Sequence, residues 1–129
     1  MTDVPAAVRK GVLALAATAV AAVAHTASIQ IWETAEPIPA AMWMLFLGIN
    51  GLFVLLLVLT WRRHNWARWV AVILTGLGIM AVLWSFTEPG ESSLLEMSID
   101  LSIVAVELWG CYHLVSMSAS SWFRLHTAP

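Results

Sequence analysis

IPAAMWMLFLGINGLFVLLLVLTWRRHNWARW, residues 38–69, decides the fold of this chain. From Ile38 to Thr60 no side chain carries a charge. At about 1.5 Å of rise per helical residue, such a run crosses a hydrocarbon layer roughly 30 Å thick. Arg62, Arg63 and Arg68 then arrive together, interleaved with Trp61, Trp66 and Trp69. Tryptophan favours the headgroup level and arginine the cytoplasmic side, so this segment reads as a span followed by an inner loop.

Three further apolar stretches flank it, and we place the spans at about 5–32, 38–60, 66–86 and 93–117. All six basic residues fall outside the apolar cores of these spans: Arg9 and Lys10 in the opening turns of the first, Arg62, Arg63 and Arg68 around the junction of the second and third, and Arg124 after the fourth. Glu33, Glu36, Glu88 and Glu91 occupy the other two loops. This asymmetry predicts both ends in the cytoplasm. The expected fold is all-α: a four-helix transmembrane antiparallel bundle, N-in/C-in, with residues 1–129 as a single integral membrane domain. The compartment expected is the bacterial cytoplasmic (inner) membrane, crossed several times.

Composition agrees with that class. Sixty per cent of the 129 residues are hydrophobic and 11% charged, which is too apolar for an ordinary soluble domain. A net charge of −2 gives no electrostatic basis for nucleic acid, so the expected surroundings are the lipid bilayer and a membrane protein partner or a homo-oligomer. The single cysteine, Cys111, reads as a small apolar filler within the last stretch.

Local signals mark the ends of the stretches. Thr2 or Asp3 caps the first, with Pro5 in its opening turn. The first stretch also has the form of a secretory signal, with Ala22-Val23-Ala24 as a cleavage site. Its apolar run is long for a signal core, and we expect it to be retained. Pro37 and Pro39 stop one helix and start the next, and Pro89-Gly90 turns the second outer loop. Ser93 and Glu96 stand at capping-box spacing. Gly48 and Gly51 read as a close-packing site on the second span. Trp32, Trp61, Arg62, Arg63, Trp66, Arg68, Trp69, Trp122 and Arg124 read as anchors in the membrane interface.

The segment Asn65-Trp66-Ala67-Arg68-Trp69 and the closing Ser121-Trp122-Phe123-Arg124 resemble features of small four-helix bacterial inner-membrane proteins, most of them without an assigned function. The likeness covers the layout of most of the chain. It implies fold and compartment, and it brings no catalytic residue. In size the chain is also similar to small multidrug resistance transporters. Those place a glutamate centrally in the first helix, whereas here the first stretch holds His25 and no acid, which counts against that family.

The chemistry worth following lies in the fourth stretch. A carboxylate at bilayer depth costs at least about 2.5–3.5 kcal/mol, so it faces protein or water. Asp100 and Glu107 stand two helical turns apart on one face, with Glu96 above them. His25 reaches the level of Asp100 from the first span. Asn50 reaches roughly the level of Glu107 from the second, close enough in depth to hydrogen-bond it. One reading has Glu107 and Asp100 bind and release protons or a cation while His25 relays. A second has Glu107 held by Asn50 as a packing element. A third turns the polar stripe towards another protein.

The four histidines do not converge in this topology, so no metal site is expected, and no cofactor motif is present. No serine is paired with an activating histidine and acid, so no enzyme is expected. The function expected is a small inner-membrane binding or accessory protein acting through its helices on a membrane partner, as a complex subunit or in toxin immunity. The alternative is a proton-coupled small transporter using Glu107, Asp100 and His25.

Overall fold

The computed structural model describes residues 4–32, 39–87 and 93–124, with side chains in the first stretch described to residue 28. The described residues form five helices and no strand: α1 (Ala6–Trp32), α2 (Ala40–Trp61), α3 (Asn65–Ser85), α4 (Leu94–Val115) and α5 (Met117–Arg124). Three of them, α1, α2 and α3, are long and apolar enough to cross a membrane. The fourth, α4, matches α2 at 22 residues but carries Glu96, Asp100 and Glu107. The acidic loops and the Thr2 or Asp3 cap lie outside the described residues, as does Pro37.

Backbone chemistry explains the helix ends. The carbonyl of Pro5 accepts the Arg9 N–H at 3.0 Å, so α1 starts just behind a residue that needs no N–H partner of its own. Pro39 caps α2 with an extended ψ of 141°. At the other end of α2, Arg63 adopts a left-handed φ of 74°. Its N–H donates to Thr60 O at 3.0 Å and the His64 N–H donates to Leu59 O at 3.0 Å. That pair of bonds is a Schellman motif, which satisfies the last α2 carbonyls and reverses the chain within three residues. The Ser93 hydroxyl accepts the Glu96 N–H at 3.2 Å while Glu96 Oε2 accepts the Ser93 N–H at 2.9 Å, completing a capping box on α4.

The fourth apolar stretch does not run on as one helix to residue 117. It breaks at Ser116, where ψ swings to 156°, and resumes as α5. Ser116 stabilises the break twice: its hydroxyl donates to His113 O at 2.8 Å, and its carbonyl accepts the Ser120 N–H at 2.9 Å. The small residues 118–121 allow α5 to fold back, burying Ala119, Trp122 and Phe123.

The closest packing is between α1 and α4. A Cβ added to Gly11 would lie 2.7 Å from Leu114 Cγ and 2.9 Å from Gly110 O. One added to Gly110 would lie 3.0 Å from the Leu15 side chain. His25 meets Asp100 further along the same pair, so the two helices run antiparallel. Gly48 and Gly51 do not form the close contact their spacing suggests; a side chain at either would meet nothing within 4 Å. Gly51 lines an open groove between α1 and α2, and the backbones that need glycine are those of α1 and α4.

Burial is concentrated at one end. Val8, Val12, Leu15, Leu56, Leu57, Ala67, Ala71, Leu114, Ala119, Trp122 and Phe123 form one cluster. It gathers the start of α1, the α2–α3 turn and α5. Towards the opposite end, beyond the level of Glu107, Ile79 and Val104 are the buried residues among those described. The helices are therefore tightly joined near the basic turn and more loosely packed away from it.

Candidate functional site

Where the packing loosens, a cavity of about 430 Å³ opens between all four long helices. Its apolar wall is built by Ala19 and Ala22 of α1, Ile49, Leu52 and Phe53 of α2, and Leu74 and Gly78 of α3. Four polar side chains reach it, one from each helix: Thr18, Asn50, Thr75 and Glu107. The buried Leu15, Leu57, Ala71 and Leu114 lie between this level and α5, closing that side.

The α1–α4 register explains the placement. Gly11 sits against Leu114 and Leu15 against Gly110, which brings Thr18 to the level of Glu107 two turns further on. Another two turns bring His25 to Asp100, where Nε2 lies 3.7 Å from Oδ1. This pair is partly covered, with side-chain exposures of 18% and 32%. The third acid, Glu96, is held in the cap at the start of the helix.

Hydrogen bonding in the cavity is one-sided. The Thr18 hydroxyl donates to Leu15 O at 3.0 Å and the Thr75 hydroxyl donates to Ala71 O at 2.9 Å, each within its own helix. Asn50 Nδ2 donates to Phe46 O at 2.9 Å, again within its helix. The expected Asn50–Glu107 hydrogen bond is therefore not made. Asparagine in a helix has a carbonyl four residues back within easy reach, and Asn50 takes it. Glu107, half-buried, has no hydrogen bond among the described residues, although it shares the cavity with Asn50. Cys111, one turn further on, has its thiol beside the Thr75 hydroxyl.

The arginine-tryptophan loop divides in two. Trp61, Arg62, Trp66 and Trp69 are exposed, as residues meeting headgroups would be. Arg68 and Trp122, expected among the same anchors, are instead 4% and 6% exposed. Arg68 lies in the first turn of α3 and points into the packed end. Its Nη1 donates to Ser120 Oγ at 3.2 Å and to Leu114 O at 3.4 Å, the latter a carbonyl left open where α4 breaks. The guanidinium also lies 4.6 Å from the Phe123 ring centroid and 4.9 Å from that of Trp69. Arg63 stacks 5.0 Å from the Trp122 ring centroid. Arg124, at the end of α5, stays exposed and donates from Nε to Ser120 O at 3.4 Å. The side chain of Trp32 lies outside the described residues.

The hydroxyls of Thr18 and Thr75 were missed in the sequence. A threonine in an apolar helix usually bonds to its own backbone, as both do here. Only the register reveals that they share a cavity with a carboxylate. Among the described residues, no three His, Cys, Asp or Glu side chains come together. Compared with protein-family models, with curated proteins and with solved structures, the chain matches none.

Proposed function

We propose that the protein is a proton-coupled small transporter of the bacterial cytoplasmic membrane, built as a four-span antiparallel bundle with both ends in the cytoplasm. In this reading α4 is the fourth span. What supports it is that each of its three acids has a tolerable setting: Glu96 in the cap, Asp100 against His25, and Glu107 in the cavity. The basic α2–α3 turn and α5 then mark the cytoplasmic face.

The observation that carries the proposal is the Glu107 carboxyl, without a hydrogen bond among the described residues, in a cavity that all four long helices line. A carboxyl serving only to fix helix register would be held by a neighbour, and the one hydrogen bond Asn50 donates among the described residues goes to Phe46 O of its own helix. An open carboxyl inside a membrane bundle suits reversible binding of a proton or a cation, with His25 and Asp100 exchanging protons towards the outer side.

An infrared titration of the purified protein tests this. The wild type should show a protonated-carboxyl band that disappears as pH rises and is missing in Glu107→Gln. A titrating band unchanged by that substitution would overturn the proposal.

A second reading, an accessory protein acting on a membrane partner, draws support from Gly48, Gly51 and Gly76, which leave uncovered small-residue positions on α2 and α3. It predicts a membrane protein that co-purifies in mild detergent and is lost on Gly48→Leu. Purification of the chain alone would count against it.

A further inference from the structure

We infer that the cavity at Glu107 takes a protonated amine with an apolar body, in preference to an anion, a neutral molecule or a quaternary ammonium ion; this rests on Glu107 being the exchangeable carboxyl of the proposed transporter. Size sets the first bound. About 430 Å³ falls within the usual range of small-molecule sites, roughly 300–1,000 Å³. Ile49, Leu52, Phe53 and Leu74 present apolar surface, and Glu107 presents a single negative charge. An anion would meet that charge without an arginine or lysine among the lining residues to balance it.

Hydrogen-bond accounting narrows the class further. Both threonine hydroxyl protons are committed to their own helices, as is one Asn50 N–H. What remains towards the cavity is mostly acceptors: the Thr18 hydroxyl oxygen, the Asn50 carbonyl oxygen and the Glu107 carboxylate, against one further Asn50 N–H, while the Thr75 hydroxyl lies beside the Cys111 thiol. A primary ammonium ion brings three N–H donors and one positive charge, which this set matches. A quaternary ammonium ion supplies the charge without a donor and leaves those oxygens unpaired. Phe53 lines the same space, and an aromatic side chain there favours a cation.

The same chemistry couples ligand to proton. A bare carboxylate at this depth is costly, so Glu107 is paired with a proton or with an ammonium ion. When the ammonium ion enters, the carboxyl proton leaves to water; when the proton returns, the ammonium ion is released. No bond other than O–H changes, and the loaded site is neutral in both states.

The test uses the full chain in lipid nanodiscs, titrated calorimetrically with phenylbutylammonium, its trimethylammonium analogue and phenylbutanol. A pH dye in weak buffer reports proton release. The primary amine should bind at one site per chain and release a proton, about tenfold or more tighter than either analogue. Glu107→Gln should abolish binding. Gly78→Phe should block it while leaving the carboxyl, because a side chain at Gly78 enters open space in a position that lines the cavity. Unchanged helix content and gel-filtration behaviour would show that both variants fold. Equal binding of the three probes, or no binding of the amine to wild type, would overturn the ligand class. If the infrared band of Glu107 still titrates in that case, the proton site stands and the ligand assignment alone fails. If that band is absent, the transporter reading fails with it.

Discussion

Arg68 is the residue on which the packed end most visibly depends. Its guanidinium is buried, hydrogen-bonded to a broken helix end and to Ser120, and stacked on aromatic rings. Replacing it with alanine would free the Leu114 carbonyl and leave a void under Phe123. Arg68→Ala is expected to cost on the order of 2–3 kcal/mol, a typical value for hydrogen bonds to a charged group, read as a fall in thermal midpoint in detergent. Arg68→Lys should recover only part of it, because an ammonium ion cannot stack flat and bridge both acceptors. Equal stability of wild type and Arg68→Ala would place this side chain outside the packing.

At the same scale, Arg63 holds a left-handed backbone that costs a residue with a Cβ roughly 1–2 kcal/mol. Arg63→Gly should therefore be more stable than Arg63→Ala by about 1 kcal/mol. The comparison is made against alanine because both substitutions lose the contact with Trp122. If alanine proves as stable as glycine, the turn does not need the left-handed conformation.

Among the elements, α1 and α4 are set by glycine. Gly11→Ala would push a methyl group against Leu114 and the Gly110 carbonyl, and should cost about 1–3 kcal/mol in thermal or denaturant melts. Gly48→Ala and Gly51→Ala meet open space and should be neutral or stabilising by up to about 1 kcal/mol, since alanine is the better helix former. The reverse order of effects would mean that α2 packs through the face that carries Gly48 and Gly51.

This contrast shows what could be read from the chain. Helix positions were legible to within a residue or two, because Pro39, the Ser93–Glu96 box and the arginine turn punctuate the apolar runs. Counting from helix ends also brings His25 level with Asp100, and the side chains lie 3.7 Å apart. Helix rotation was not legible. Depth alone puts Asn50 near Glu107, but the amide bonds along its own helix. Gly48 and Gly51 have a suggestive spacing, but which face meets a neighbour depends on contacts that no single segment encodes. The break at Ser116 was hidden because residues 117–121 have no proline to mark it.

For the whole molecule, the uneven distribution of burial predicts uneven stability. Backbone amides around Leu15, Leu57 and Ala71 should exchange hydrogen far more slowly than those around Met44, Met80 and Leu101, which lie at the loosely packed end. Uniform protection along each helix would contradict that picture. The orientation proposed from charge is tested with reporters active only outside the cytoplasm: activity is expected after Pro89 and none after His64. The opposite pattern would invert the molecule in the membrane.

Accessibility of spin labels along α4 tests most directly whether lipid surrounds the helices while Glu107 faces inward. With Cys111 replaced by alanine, labels at positions 107 and 108 are compared in nanodiscs for collisions with lipid-soluble oxygen and with a water-soluble nickel chelate. Leu108 is 56% exposed, so a label there should collide freely with oxygen and rarely with nickel. A label replacing Glu107 should be markedly shielded from oxygen by the surrounding helices. Equal oxygen exposure at both positions, or ready access of nickel to position 108, would contradict the account.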